Sequence, residues 1–146
     1  PSVVETPETK ASLQVKLAAN KQRCRLLKNN TGVAYDNNDR PIFFGLGNDG
    51  KKKKGDKNVI RTPDWVGWHN MVITEEMVGK TVPIFVAIDA KRLGFKHKES
   101  YHVNTREHGQ NNFFQRVINA NGIAGFAATS EHVKTIISDF YKRVLK

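Results

Sequence analysis

The sequence IFVAIDAK at residues 84–91 passes from five consecutive apolar residues directly into an acid and a lysine. A short apolar run rich in β-branched and aromatic residues is typical of a strand buried on both faces. Because side chains alternate between the faces of a strand, Asp89 and Lys91 are predicted to project from the same face. By itself this sequence is more typical of a core strand that ends in charged residues at the surface.

The charge of the chain points to a class of partner. Its 146 residues carry 24 lysines and arginines against 14 acids, a formal net charge of +10. A small domain this basic is typical of proteins that bind a polyanion, most often nucleic acid. The length predicts one domain over residues 1–146. No apolar run approaches the roughly 18 residues of a membrane helix, and the single cysteine fits a reducing compartment such as the cytoplasm.

Hydrophobic periodicity predicts the order of the elements. A first helix is expected over residues 8–27, with Leu13, Leu17, Cys24 and Leu27 on one side. The elements expected after it are a hairpin around residues 36–39, strands at 65–73 and 84–91, a helix at 106–120, a strand at 123–128 and a helix from Ser130. The last strand–helix–strand crossover implies a parallel pair. The predicted fold is therefore α/β, a mixed sheet flanked by helices in the order α-β-β-β-β-α-β-α.

A strongly basic segment interrupts this pattern at about residues 47–58. Its four consecutive lysines are Lys51, Lys52, Lys53 and Lys54. Such a polar segment buries little apolar surface and is typical of a flexible loop. Contact with a nucleic-acid backbone and plain solvation are both compatible with it.

Two carboxylates are predicted at the ends of neighbouring strands, Asp64 and Asp89. Adjacent carboxylates repel each other, and a hard divalent cation such as Mg²⁺ removes that repulsion. A metal held in this way can polarise a phosphodiester and supply a hydroxide nucleophile, while Lys91 offsets the charge that develops on the phosphate. Gln110 in the inward stripe of the second helix and Glu8 in the first helix are further polar candidates. With the basic charge, these residues indicate a metal-dependent nuclease.

These residues resemble the PD-(D/E)XK nuclease signature, in Pro63-Asp64 and in Asp89-Ala90-Lys91. Flanking segments narrow the resemblance to the virus-type replication-repair nuclease (VRR-Nuc) domain. KNNTG at residues 28–32 is similar to that family's Arg-Asn-Asn-x-Gly turn, and TPDWVGW at 62–68 to its Ser-Pro-Asp-hydrophobic-hydrophobic-Gly segment. NGIAGFAA at 121–128 resembles its closing strand, and Gln110 matches the glutamine of the preceding helix.

The resemblance implies a restriction-endonuclease-like fold and a role for each matching residue. Asp64 and Asp89 would bind Mg²⁺ or Mn²⁺ through their carboxylates, and Ala90 would bind it through its backbone carbonyl. Lys91 would be the catalytic lysine, and Gln110 would position the lysine or the attacking water.

Further roles follow from the same resemblance. Glu8 would be the first-helix acid that contacts the metal directly or through water. The residues expected to contact DNA are Lys28, Asn29, Asn30, Lys51–Lys54 and Arg92. The chain departs from the family pattern at Asp89, where Glu is usual, at Lys28, where Arg is usual, and at Ser12, where Gln often stands.

Short stand-alone members of the family resemble phage-encoded enzymes that recognise DNA structure. The resemblance therefore implies a homodimer that cleaves branched DNA such as Holliday junctions in the host cytoplasm, with no organic cofactor and no membrane association. A two-fold dimer would present two sites to two strands. Two alternatives stay open from the sequence: a non-catalytic nucleic-acid-binding module, and a restriction-type nuclease that reads base sequence.

Overall fold

The computed structural model describes residues 7–48, 50 and 63–145, with side chains from residue 10 onward. The described part is a mixed α/β structure with three α-helices and six strands in three two-stranded sheets. In chain order the elements are α1 (Pro7–Lys21), β1 (Cys24–Lys28), β2 (Gly32–Tyr35), β3 (Pro41–Phe44), β4 (Trp65–His69), β5 (Val86–Ala90), α2 (Arg106–Asn119), β6 (Ile123–Ala127) and α3 (Ser130–Val144). None of these helices is long and apolar enough to cross a membrane.

The chain falls into two compact units, one up to Val72 and the other from Ile73 onward. The first contains α1 and the pairs β1–β4 and β2–β3, and the second contains the β5–β6 pair with α2 and α3. One domain over the whole chain stays a prediction, as does the restriction-endonuclease-like sheet.

The first helix is shorter than its periodicity predicts. It ends at Lys21, and Arg23 adopts a left-handed backbone with φ of 64°, which an α-helix cannot continue through. The following residues form β1, which pairs antiparallel with β4 and places Cys24 opposite His69. The prediction of helix up to Leu27 is therefore wrong, and the observed order has one more strand. Strand pairing with β4 outweighs the helical spacing of the apolar residues.

One position in β4 requires glycine because the backbones of β1 and β4 approach each other closely there. Gly67 lies opposite Leu26 of β1, and a β-carbon added to it would overlap the carbonyl oxygen of Arg25. Any side chain at this position would push the two strands apart. Gly67 of the TPDWVGW segment thus has a packing reason in this structure.

The predicted hairpin is confirmed, with β2 and β3 antiparallel from Gly32 opposite Phe44 to Tyr35 opposite Pro41. Its turn is organised by Asp36. That carboxylate accepts hydrogen bonds from the amides of Asn38 at 2.8 Å and Arg40 at 2.9 Å, and from the Arg40 Nε at 2.7 Å. The amide of Arg40, followed by that of Asn38 and the Arg40 side chain, outweighs partial desolvation and lowers the pKa of Asp36.

We expect Asp36→Asn to destabilise the hairpin near neutral pH and to have little effect in acid. Because the pKa of folded Asp36 lies below its ordinary value of 3.8, the ionised carboxylate stabilises the fold above that value. The contribution is lost as the pH falls through the lowered pKa. Thermal unfolding against pH should therefore show a midpoint gap from wild type that closes below pH 3.8. Asp39→Asn removes a charge from the same turn and is the control; an equal effect of both variants would contradict the prediction.

The predicted crossover is confirmed in the second unit. Strands β5 and β6 are parallel, with Asp89 opposite Phe126, and α2 connects them. Helix α2 packs on one face of the pair, where Phe114 stacks edge-on against Phe126 with ring centroids 4.9 Å apart. Helix α3 packs on the other face, where Ile136 fills the space above Gly125.

Strand β5 is buried on one face rather than on both. Val86 and Ile88 are 53% and 40% exposed, whereas Phe85, Ala87 and Asp89 are half-buried on the α2 side. The prediction of a strand buried on both faces is therefore wrong. Its physical reason is that α3 covers the outer face of β6, at Gly125, and leaves the outer face of β5 exposed.

Candidate active site

Three predicted site residues of the second unit converge at the end of β5. The Gln110 Nε2 donates a hydrogen bond to the Asp89 Oδ1 at 2.7 Å. The Lys91 Nζ donates to the Gln110 Oε1 at 3.0 Å and lies 3.1 Å from the Asp89 Oδ2. Gln110 thus uses both ends of its amide to hold the acid and the lysine together, which gives this inward-facing glutamine the partners that burial requires.

A fourth member of the cluster, Glu107, was not identified in the sequence. Its Oε1 accepts a hydrogen bond from the Lys91 Nζ at 3.1 Å. Residues three apart on a helix share a face, so Glu107 and Gln110 of α2 reach the same ammonium. The three-residue spacing between Glu107 and Gln110 is the feature of the sequence from which Glu107 could be identified. We call Asp89, Lys91, Glu107 and Gln110 the Asp89–Lys91 cluster.

Lys91 carries a positive charge in a largely enclosed place. Its side chain is 14% exposed, and its ammonium lies 5.1 Å from the ring centroid of Phe126 and 5.8 Å from that of Phe95. Desolvation by burial opposes the charge, but the hydrogen bonds and charges of Asp89 and Glu107 outweigh it and raise the Lys91 pKa. Lys91 is therefore a hydrogen-bond donor at neutral pH, suited to stabilise negative charge on a ligand.

Glu107 is correspondingly held in its ionised form. Its pKa is lowered first by a hydrogen bond from its own backbone amide at the beginning of α2, and then by the hydrogen bond from Lys91. Carboxylates in the first turn of a helix are favoured by the helix dipole. The cluster therefore holds one ammonium between two carboxylates and an amide.

An open pocket of about 400 Å³ adjoins the cluster between β5 and α2. Asp89 and Gln110 contribute to its wall, together with the aromatic rings of Phe113 and Phe114. This volume lies within the range of ligand sites in proteins. A group that enters the pocket can reach the Asp89 carboxylate and the Gln110 amide.

The donors available around Asp89 are hard oxygen atoms. In β5, the carbonyl of Phe85 accepts from Ile123 at 2.9 Å, and the amide of Lys91 donates to Ala127 at 2.8 Å. Because alternate residues of a parallel strand bond to the same neighbour, the carbonyl of Ala90 faces the edge of β5 opposite β6. A carboxylate and a carbonyl suit Mg²⁺ or Mn²⁺.

These donors are few, however. Among the side chains that the structure describes, those of residues 10–48, 50 and 63–145, no three or more His, Cys, Asp or Glu are grouped so as to hold a metal. A cation at Asp89 would therefore need carbonyl and water ligands besides carboxylates, as Mg²⁺ commonly has. The oxygen donors fit such an ion in chemistry.

Comparisons of the chain with protein-family models, with curated proteins and with solved structures found no match. Membership of the VRR-Nuc family therefore stays a prediction based on the sequence motifs.

In the first unit, Asp64 lies directly before β4 on a backbone that Asn29 holds. The amide of Asn29 donates to the Asp64 carbonyl at 2.8 Å. The Asn29 side chain is buried at 9% exposure; its Nδ2 donates to the Pro63 carbonyl at 3.1 Å and its Oδ1 accepts from the Leu46 amide at 3.0 Å. These contacts give Asn29 a structural role, whereas its contact with DNA stays a prediction.

We expect Asn29→Ala to lower the free energy of unfolding substantially. The substitution removes two part-buried hydrogen bonds of the Asn29 side chain, to the Leu46 amide and the Pro63 carbonyl, each worth about 0.5–1.5 kcal/mol. Chemical denaturation measures the loss. Asn30→Ala is the matched control because Asn30 is adjacent and exposed. A loss no larger than that of the control would show that Asn29 does not hold this backbone.

The other residues predicted to contact DNA are placed as follows. The ammonium of Lys28 lies 5.0 Å from the ring centroid of Trp65, whose Nε1 donates to the Ser12 Oγ at 3.0 Å and so joins β4 to α1. Asn30 and Arg92 are exposed. Glu8 belongs to α1, but its side chain lies outside the described residues, and so do Lys51–Lys54.

Proposed function

We propose that this protein is a Mg²⁺- or Mn²⁺-dependent endonuclease that hydrolyses phosphodiester bonds in branched DNA. The observation that carries the proposal is the Asp89–Lys91 cluster beside an open pocket. Neither an exposed nor an enclosed ion pair is by itself strong evidence of added stability, because desolvation of the charges offsets their attraction. Two carboxylates and an amide that converge on one enclosed ammonium at a pocket are more typical of a functional site than of a stabilising pair.

In the proposed reaction, some residues of the chain would bind the metal and Lys91 would contact the phosphate. When bound, the divalent metal would lower the pKa of a coordinated water and withdraw charge from the phosphate. Asp89 and the Ala90 carbonyl are the proposed ligands in the second unit, and Asp64 and Glu8 are added from the sequence alone. Lys91, protonated at neutral pH, donates to the phosphate oxygen on which charge develops.

Two residues of α2 support that lysine. Gln110 fixes the distance between Asp89 and Lys91, and Glu107 holds the ammonium from the side of the helix. Lys91 therefore keeps two partners even when the Asp89 carboxylate turns toward a cation. Positioning of this kind is what an electrostatic catalytic group needs, since small displacements are costly in rate.

The substrate follows from charge and from the sequence resemblance. A net charge of +10 favours a polyanion, and backbone contacts would recognise the shape of DNA more than its base sequence. The resemblance adds branched DNA, a homodimer with two sites, and action in the cytoplasm, which the single cysteine fits.

A cleavage assay tests the proposal on Holliday junctions, flaps and linear duplexes, each with Mg²⁺, with Mn²⁺ and with EDTA. We expect metal-dependent cutting of junctions in preference to duplexes. Binding without cutting of any substrate would refute the nuclease and leave a non-catalytic nucleic-acid-binding module. Cutting of one linear sequence as efficient as that of junctions would instead identify a nuclease that reads sequence.

A further inference from the structure

The loop between β5 and α2 is fixed on one aromatic ring. The ring centroids of Phe95, His97 and Tyr101 lie 5.4, 6.2 and 5.6 Å from that of Phe126. The same ring lies 5.1 Å from the Lys91 ammonium. The loop and the catalytic lysine of the proposed nuclease are thus held against one side chain. We call residues 92–101 the anchored loop.

Hydrogen bonds add to this aromatic packing. The Tyr101 hydroxyl accepts from the Lys98 amide at 3.1 Å and lies 3.2 Å from the His97 Nδ1. The Tyr101 carbonyl lies 3.1 Å from the Nδ1 of His108 in α2. The anchored loop therefore has a defined conformation although it contains no helix or strand.

The inward and outward residues of the anchored loop differ in chemistry. Phe95 is half-buried against Phe126, whereas Lys96, His97 and Lys98 are exposed, although the His97 ring also lies near that of Phe126. Within the described part of the chain, neither lysine has a carboxylate at ion-pair distance. Two unpaired ammonium groups are thus presented from a backbone that its aromatic residues hold in place.

We propose that the anchored loop binds the sugar–phosphate backbone of a nucleic acid beside the Asp89–Lys91 cluster, through Lys96 and Lys98. The proposal rests on the proposed function, since it names the surface that would hold the strand next to the scissile phosphate. Two cations on a fixed backbone lose less freedom on binding than cations on a free loop. Each phosphate contact releases counterions, which makes the affinity depend on salt.

The experiment measures binding of the full chain to a fluorescent DNA junction and to a linear duplex in EDTA, over a series of salt concentrations. We expect the double variant Lys96→Ala/Lys98→Ala to reduce the slope of log affinity against log salt by about 1.8, at about 0.9 for each phosphate contact in duplex DNA. The matched control, Lys134→Ala/Lys142→Ala, removes the same charge from α3, on the other face of the β5–β6 pair. The control should keep the slope of wild type.

Equal changes of slope in the two double variants, or no change in either, would overturn the proposal. Binding of polyglutamate of matched charge is a further test. If polyglutamate binds wild type as tightly as DNA does, and its salt slope falls by the same amount in the Lys96→Ala/Lys98→Ala variant, the proposal is overturned. The loop would then be a general site for acidic polymers. The readout needs no cleavage. A reduced salt slope in the Lys96→Ala/Lys98→Ala variant, together with no cutting by wild type in either Mg²⁺ or Mn²⁺, would refute the nuclease and leave the anchored loop supported.

Discussion

Asp89→Ala is expected to abolish cleavage of DNA while DNA binding is retained. The variant removes the carboxylate proposed as a metal ligand and also one of the three hydrogen-bonding partners of Lys91. We expect a fall in the single-turnover rate of at least about 10²-fold, the loss typical of removing one electrostatic group from an active site. Binding should survive because Asp89 is an acid and repels phosphate when no metal is present.

The control for this variant is Asp139→Ala, which removes an exposed carboxylate from α3. It should cut at the rate of wild type. Both variants should unfold cooperatively, since Lys91 keeps Glu107 and Gln110 when Asp89 is absent. Cleavage retained by Asp89→Ala, measured on the substrate that wild type cuts best, would refute the assignment of this acid.

Phe126→Ala is expected to have the largest effect on stability. This buried ring contacts Phe95, Tyr101 and Phe114 and lies against the Lys91 ammonium. Removing a buried phenyl group costs about 3–5 kcal/mol of the free energy of unfolding. The substitution also takes away the surface that holds the anchored loop and Lys91, so cleavage should fall even at temperatures where the variant stays folded.

Chemical denaturation of Phe126→Ala, with cleavage assayed well below the transition, separates the two effects. Phe44→Ala is the matched control, because it removes the same side chain from the hairpin, where that ring is 45% exposed. The free energy of unfolding should fall clearly less in Phe44→Ala than in Phe126→Ala. A Phe126→Ala protein that is as stable as the control would show that the aromatic residues around this ring contribute little to the second unit.

Local patterns were sufficient to predict part of this structure. The hairpin followed from turn residues between two apolar segments, and the parallel pair followed from the strand–helix–strand order. The period of two in β5 brought Asp89 and Lys91 together, and an inward glutamine required polar partners, which they supply.

Other parts depend on contacts that no local pattern reveals. β1 continues the helical spacing of α1, and only its pairing with β4 and the left-handed Arg23 show where the helix ends. An apolar run also does not tell which of its faces will be covered, so the exposure of Val86 and Ile88 was missed. Glu107 can be assigned to the site only once Gln110, on the same face of α2, is known to contact Lys91.

Asn29 makes the chain between Leu46 and Pro63 an attractive place for protein engineering. Its side chain binds both of these flanking residues, so the two ends are joined independently of the sequence between them. In general, doubling the length of a chain between two joined points costs only about 0.6 kcal/mol more. We therefore expect a change in chain length between these two residues to leave the Asn29 hydrogen bonds beside Asp64 in place.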